Sequence, residues 1–374
     1  MSAAMHTQRV ALTVLILAAN AAPMSRAQAQ TSDTATTRTF GGFVDTYYAW
    51  DTDRPRNFDR SYTTQPARYA EANINLAFIE AKVAGPRYRG RLALQWGTSV
   101  QSNYAAEPRN GVVSGPSVSQ YIQEATAGYQ VAPSLWLDGG IFLSHVGYEG
   151  WISRDNVSYT RSLVADFSPY YESGAKLTWT TSPKLTTTVV LINGWQNISA
   201  ENSTPATGVR LDYTPVPALT VTYDDFIGDV APDSEPTRLR IYHDVLAQYT
   251  GSARWLFAAM YSLGTQGNTT PAGGIASWWG MTTFAKYHAT PTVALVARVE
   301  RYSDPSQVIV ATGTPSSFQT NAASLGVDVA LRAPLLWRTE VRAFRSNNRI
   351  WPLHGVGALG ENDGVVVTSL ALTF

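Results

Sequence analysis

From Gly41 to the C-terminus the chain repeats one pattern: a short run in which large apolar and polar side chains alternate, closed by a turn or loop. Tyr88 to Val100 sets Tyr88, Leu92, Leu94 and Trp96 against Arg89, Arg91, Gln95 and Ser99. Thr292 to Tyr302 sets Val293, Leu295, Ala297 and Val299 against Arg298 and Glu300. Leu335 to Arg345 sets Leu335, Trp337, Val341 and Ala343 against Arg338, Glu340 and Arg342. A period of two puts neighbouring side chains on opposite faces, so each run predicts a strand lying between two different media. Two runs, Leu135 to His145 and Lys184 to Gly194, carry apolar residues on both faces.

The breaks alternate in length. Short turns at Gly85-Pro86, Ala132-Pro133-Ser134, Ser182-Pro183, Pro215-Val216-Pro217, Thr250-Gly251-Ser252, Ala289-Thr290-Pro291 and Ala333-Pro334 take turns with longer polar or Gly-rich connections, of which His145 to Tyr170 is the longest. Fifteen connections join sixteen strands, with fourteen or eighteen as alternatives, and both chain ends fall on the turn side. A soluble sandwich also alternates, but its wet face would be rich in Lys and Glu. Here that face carries Gly, Ser, Thr and Gln with occasional Arg and Glu. The pattern predicts an all-β fold, a transmembrane antiparallel up-and-down barrel with an apolar exterior. In lipid every backbone N–H and C=O must pair within the protein, which a closed sheet achieves. A lipid-facing Arg or Lys at mid-bilayer costs about 2–4 kcal/mol, so the strand-borne charges are expected inside. A barrel of roughly sixteen strands is wide enough to enclose an aqueous lumen.

The chain ends agree with this. Arg9 precedes the apolar run Val10 to Ala22, shorter than the roughly 20 residues a membrane-spanning helix takes, and Ala27-Gln28-Ala29 follows. A charged start, a short apolar centre and a small-residue site predict a signal peptide over residues 1–29, leaving 30–374 as one barrel domain. The last run, Val365 to Phe374, alternates and stops at an aromatic. It resembles the C-terminal signal of bacterial outer-membrane barrels, which makes lipids of that membrane, and its assembly machinery through Phe374, expected partners. Lys plus Arg and Asp plus Glu both number 28, and losing Arg9 and Arg26 with the signal leaves 26 against 28, a net charge of −2. No basic excess points to nucleic acid. With no cysteine in the chain, disulfides, zinc–thiolate sites and Cys nucleophiles are excluded.

A family resemblance rests on several short stretches. They begin with Gly41-Gly42-Phe43-Val44-Asp45-Thr46-Tyr47-Tyr48, Arg54-Pro55-Arg56-Asn57 and Gln123-Glu124-Ala125. Gly139 to Glu149 (GGIFLSHVGYE), Asp155 to Leu163 (DNVSYTRSL), Ser168 to Gly174 (SPYYESG), Asn193-Gly194-Trp195-Gln196 and Tyr242-His243-Asp244 complete the set. In this the chain resembles the OmpL-like β-barrel porins of Gram-negative outer membranes. The resemblance covers a little over half of the mature chain and fades beyond about Gly251. It implies an outer-membrane location and passive passage of small polar solutes and ions through a water-filled channel. It supplies no substrate, and no cofactor or metal is expected. A homo-oligomer is compatible with it.

The longest connection follows the fifth strand and is the third on the loop side. By analogy with sixteen-stranded porins it is expected to fold inward and narrow the channel, carrying Glu149, Arg154, Asp155, Arg161 and Asp166. Acids facing bases across a constriction set up a transverse field that favours polar over apolar solutes. The strand-borne residues expected to line the pore are Asp45, Arg91, Gln95, Glu124, Glu172, Lys176, Arg210, Asp212, Arg240, Asp244, Arg298, Glu300, Arg338, Glu340 and Arg342. The same charges could instead pair across strands and stiffen the wall. The rival functions are a lipase-like barrel enzyme and a non-conducting adhesin or structural barrel. Against the enzyme, His243 and Asp244 are adjacent on a strand and point to opposite faces, as do Ser144 and His145. Neither G-x-S-x-G nor H-E-x-x-H occurs.

Overall fold

The computed structural model describes residues 36–269 and 273–374; the export signal expected over residues 1–29 lies outside them. Among the described residues, sixteen antiparallel strands close into one barrel. In chain order they begin with β1 (Thr37–Asp51), β2 (Ala72–Ala84), β3 (Tyr88–Trp96), β4 (Ile122–Ala132), β5 (Leu135–Leu143), β6 (Tyr171–Ser182), β7 (Leu185–Ile192) and β8 (Ala206–Val216). They continue with β9 (Leu219–Asp229), β10 (Leu239–Tyr249), β11 (Trp255–Gly267), β12 (Ile275–His288), β13 (Val293–Asp304), β14 (Phe318–Arg332) and β15 (Leu335–Ser346). A two-stranded ribbon, β16 (Trp351–Pro352) with β17 (Leu359–Gly360), sits in the last loop, and β18 (Asn362–Thr373) completes the wall. The count is the expected sixteen, and the seven short turns and eight longer loops fall at opposite ends.

Closure joins the chain ends. β1 pairs with β18 from Phe43↔Thr373 to Asp51↔Val365. Phe374 extends this seam, its N–H and C=O both bonded to the main chain of Gly42 at 3.0 and 2.9 Å. Among the described residues, the barrel wall leaves no strand edge to meet lipid. The alternation sends Leu92, Leu137, Leu177, Leu191, Val245, Leu295 and Val341 outward, all exposed on the isolated barrel. Exposed aromatic residues gather towards the two ends. Tyr88, Tyr129, Trp179, Tyr213, Tyr249 and Trp255 lie near the turns, and Tyr48, Trp50 and Trp96 near the loops. This is the arrangement of an apolar band between two interfacial girdles.

The interior is not uniformly polar. Val190, Ile192, Phe226, Leu246, Met260, Trp278, Phe284 and Val296 point inward and are buried in one cluster with Val146, Val157, Leu163 and Val164 of the loop after β5. That cluster accounts for the apolar inner face of β7: there the strand meets protein rather than water.

Candidate functional site

The loop between β5 and β6, residues 144–170, enters the barrel. It contains a 3-10 turn (Ser153–Asp155) and a one-turn helix, Leu163–Asp166, whose first turn is capped by Ser162 Oγ accepting the N–H of Ala165 at 3.2 Å. The helix lies against β12 at Gly280, where a side-chain Cβ would stand 2.6 Å from Val164 Cγ2. At the other extreme, Arg154 donates to the carbonyl of Pro334 at 2.9 Å and to Thr373 Oγ1 at 2.8 Å. Pro334 lies in the turn between β14 and β15, so the loop reaches the turn end of the barrel.

One wall fastens this loop. Arg338 donates to the carbonyls of Ser153 (2.7 Å) and Val157 (2.6 Å) while paired with Asp328. Glu340 accepts from the N–H and Oγ1 of Thr160, both at 2.8 Å, and pairs with Arg298, which itself donates to the Thr160 carbonyl at 2.6 Å. Arg342 donates to the carbonyl of Arg161, and Glu300 accepts the N–H of Leu163. On β1, Asp45 accepts from Ser153 Oγ at 2.8 Å and from Tyr159 OH at 3.3 Å. Charge-assisted bonds of this kind are about twice as strong as neutral ones.

The root of the loop is held differently. The two ring nitrogens of His145 face oxygens: Nδ1 lies 2.8 Å from Glu172 Oε1 and Nε2 lies 2.7 Å from the carbonyl of Asp225. A carbonyl and a carboxylate both accept, so the geometry suits the doubly protonated imidazolium. Burial is the largest single influence and opposes that charge, but Glu172, the Asp225 carbonyl and Asp224 together outweigh it and raise the pKa of His145 above its ordinary value. Gly208 makes room for the ring; a Cβ there would lie 2.1 Å from Nε2. Farther along the loop, burial raises the carboxyl pKa of Glu149, offset in part by Arg298, and that of Asp166, offset in part by Arg342.

The wall across the lumen is charged and partly wet. Glu80 pairs with Lys82 and with Arg91, Arg91 with Glu124, and Arg89 with Asp138. With Lys176, whose ammonium lies 4.5 Å from the Phe142 ring centre, all of these side chains except Glu80 border a cavity of about 400 Å³ near the turn end. Farther round, Arg210 and Asp212 pair at 3.0 Å with their side chains 23% and 34% exposed.

The expected site residues therefore divide into groups. Of the five on the loop, Asp155 is exposed and Arg154 half-buried, whereas Glu149, Arg161 and Asp166 are buried. Arg161 binds Gln65 Oε1 and the Trp151 carbonyl, and Asp166 accepts from Thr64. Of the strand residues, Arg91, Lys176, Arg210 and Asp212 face open space in part. Asp45, Gln95, Glu124, Glu172, Arg240, Asp244, Arg298, Glu300, Arg338, Glu340 and Arg342 point inward but are buried. Glu80, Lys82 and Arg89 belong with the partly exposed group, with the buried Asp138 paired to Arg89, and none of the four was among the expected residues; Arg89 at least stood on the polar face of its run. Ser144, His145 and Glu172 stand together, yet Ser144 Oγ and the imidazole both bond to Glu172, so the imidazole does not face the hydroxyl. His243 lies on the outer face and contacts Tyr223, away from Asp244.

Comparison with known proteins agrees with this geometry. Residues 37–374 match the family described as "Putative beta-barrel porin-2, OmpL-like". No curated protein matches the sequence. The barrel is similar to the outer membrane channel DcaP of Acinetobacter baumannii, with TM-score 0.63, 10% identity and coverage of 92% of this chain and 99% of that one. It is also similar to an anion-selective porin from Comamonas acidovorans, with TM-score 0.60, 9% identity and coverage of 91% and 100%. A third similar structure is OmpT, an outer membrane protein of Vibrio cholerae in its trimer form, with TM-score 0.58, 10% identity and coverage of 91% and 100%.

Proposed function

Because the chain belongs to the OmpL-like β-barrel porin family, we propose that it forms a water-filled outer-membrane channel for passive diffusion of small polar solutes and ions, with the loop 144–170 as its constriction. One observation carries the reading. The loop lies in the lumen, fastened to the wall from β12 through β18 to β1, and the facing wall of β2 to β6 and β8 carries half-exposed charges of both signs. Solute would pass between the exposed Asp155 and the half-buried Arg154 on one side and Arg91, Lys176, Arg210 and Asp212 on the other. Mixed charges across a narrow passage favour polar solutes. The turn end faces the periplasm in this reading, residues 1–29 direct export, and mature protein beginning at Gln30 is the expected N-terminal sequence. The reading includes self-association, which crosslinking in detergent tests. Planar-bilayer recording is the functional test. Discrete steps with a measurable reversal potential in a salt gradient support the channel, and a correctly folded barrel without conductance refutes it in favour of a structural or adhesive role.

A further inference from the structure

The luminal face of β8, β9 and β10 holds a charge cluster that the loop anchors use only in part: Arg210 and Asp224 touch the root of the loop, whereas Asp244 does not. Asp244, midway along β10, stands in register with Asp224 on β9 and Ser262 on β11. Both aspartates are 1% exposed. Neither carboxylate oxygen of Asp244 has a well-formed hydrogen bond, and the Arg210 guanidinium and the adjacent Val245 amide relieve its charge only in part. Oδ1 of Asp224 is also unpartnered, while its Oδ2 accepts from the N–H of Gly147 at 3.1 Å. Arg210 is committed elsewhere. Its Nε bonds Asp212, its Nη1 bonds the carbonyls of His145 and Gly147 at 2.9 Å each, and it reaches Asp224 only at 3.4 Å. Arg210, Asp212, Asp224 and Asp244 thus set one positive charge against three negative, a net of −2. The neighbouring His145–Glu172 pair adds one cation and one anion, so it leaves that net unchanged, and its influence falls on Asp224 rather than on Asp244.

Buried carboxylates without partners are strongly disfavoured, and what relieves them is a cation or a proton. We propose that Asp244 and Asp224 form a subsite for a small N–H-donating cation, a primary ammonium, and that this subsite gives the channel a preference for such cations over anions. The proposal deepens the channel reading and rests on it. The atoms left over are carboxylate oxygens, which want donors. Among the described residues no group of three or more His, Asp or Glu is arranged to hold a metal ion. The barrel already shows an ammonium in a comparable setting, where Lys286 Nζ sits 2.7 Å from Asp328, an inward-facing carboxylate of β14. Arg210, in register with Asp224 on the neighbouring strand, and Asp212 are partly exposed, and a cation would enter from their side.

The test uses the full mature barrel reconstituted in a planar bilayer under a tenfold gradient of methylammonium chloride. Wild type is expected to favour methylammonium, and Asp244→Asn, which keeps shape and removes one of the two net charges, to lower the cation-to-anion permeability ratio roughly threefold. The second measurement needs no variant. Thermal unfolding of the wild-type barrel in detergent is compared in methylammonium chloride and in equimolar tetramethylammonium chloride, which carries no N–H donor. A higher midpoint in methylammonium supports the subsite. A D244N reversal potential matching wild type, the result expected were Asp244 held neutral by a proton, overturns the proposal, and so do equal midpoints in the two salts. A wild type without conductance ends the channel reading and leaves the unfolding comparison to decide the subsite.

Discussion

Replacing Arg338 with Met isolates the fastening of the loop from the stability of the wall. The guanidinium makes two bonds to buried loop carbonyls, 2.7 Å to Ser153 and 2.6 Å to Val157, and two to Asp328. Asp328 keeps Lys286 at 2.7 Å, so the substitution does not strand a buried carboxylate. The loss falls on the loop. Two charged-group hydrogen bonds contribute about 1.5–3 kcal/mol each, roughly 3–6 together, and water reaching the freed carbonyls returns part of that. A net weakening of about 2–4 kcal/mol shifts the balance between fastened and released loop by roughly 30- to 700-fold, at about 1.4 kcal/mol per factor of ten. The β14–β15 and β15–β18 ladders are main-chain interactions and stay intact. Single-channel recording of R338M is therefore expected to show larger or flickering conductance, with protease reaching the loop in detergent and with heat stability close to wild type. Unchanged conductance, unchanged noise and full protease resistance together would refute the claim that Arg338 fastens the loop.

Other outcomes follow from the same contacts. The raised pKa of His145 means that its contribution to stability is complete below its unfolded value of 6.5 and is lost as pH rises through the higher folded value. Heat-modifiability on gels should thus occur at lower temperature in alkaline buffer for wild type and lose that His-dependent component in His145→Gln. Gly208→Ala places a methyl 2.1 Å from His145 Nε2 and 2.6 Å from the Asp225 carbonyl. It should destabilise the barrel by about 1–3 kcal/mol and, by expelling the ring, reproduce the pH response of H145Q. Deleting Phe374 removes both main-chain bonds to Gly42, about 0.5–1.5 kcal/mol each. A smaller folded fraction in outer membranes is expected, measured as heat-modifiable protein.

The wall was legible because a strand between lipid and protein or water must alternate, and the alternation survives in nearly every run. What the alternation does not say is what the inward face meets. Arg338, Glu340 and Arg342 read as an inward ladder, and so they are, but their partners are main-chain groups of a loop about 180 residues earlier. No local pattern encodes that register. The apolar inner faces of β7 and β10 to β13 carried the signal that this loop would fill part of the lumen, since Leu246, Met260 and Phe284 would not face water across a wide channel. Glu80 and Lys82 escaped notice for a different reason. The ladder of β1 with β2 passes from Asp45↔Leu76 to Thr46↔Ile74, leaving Asn75 as an extra residue that breaks the period of two just before them.

The position of the loop in the conduction path is open to a direct measurement, because the chain contains no cysteine. Asp155→Cys places one thiol on the exposed part of the loop. Addition of a bulky charged thiol reagent to a single reconstituted channel should lower its conductance in one step for each channel modified, while wild type remains unaffected. Complete modification of D155C, verified by mass, with the current unaltered would contradict a constriction built on residues 144–170.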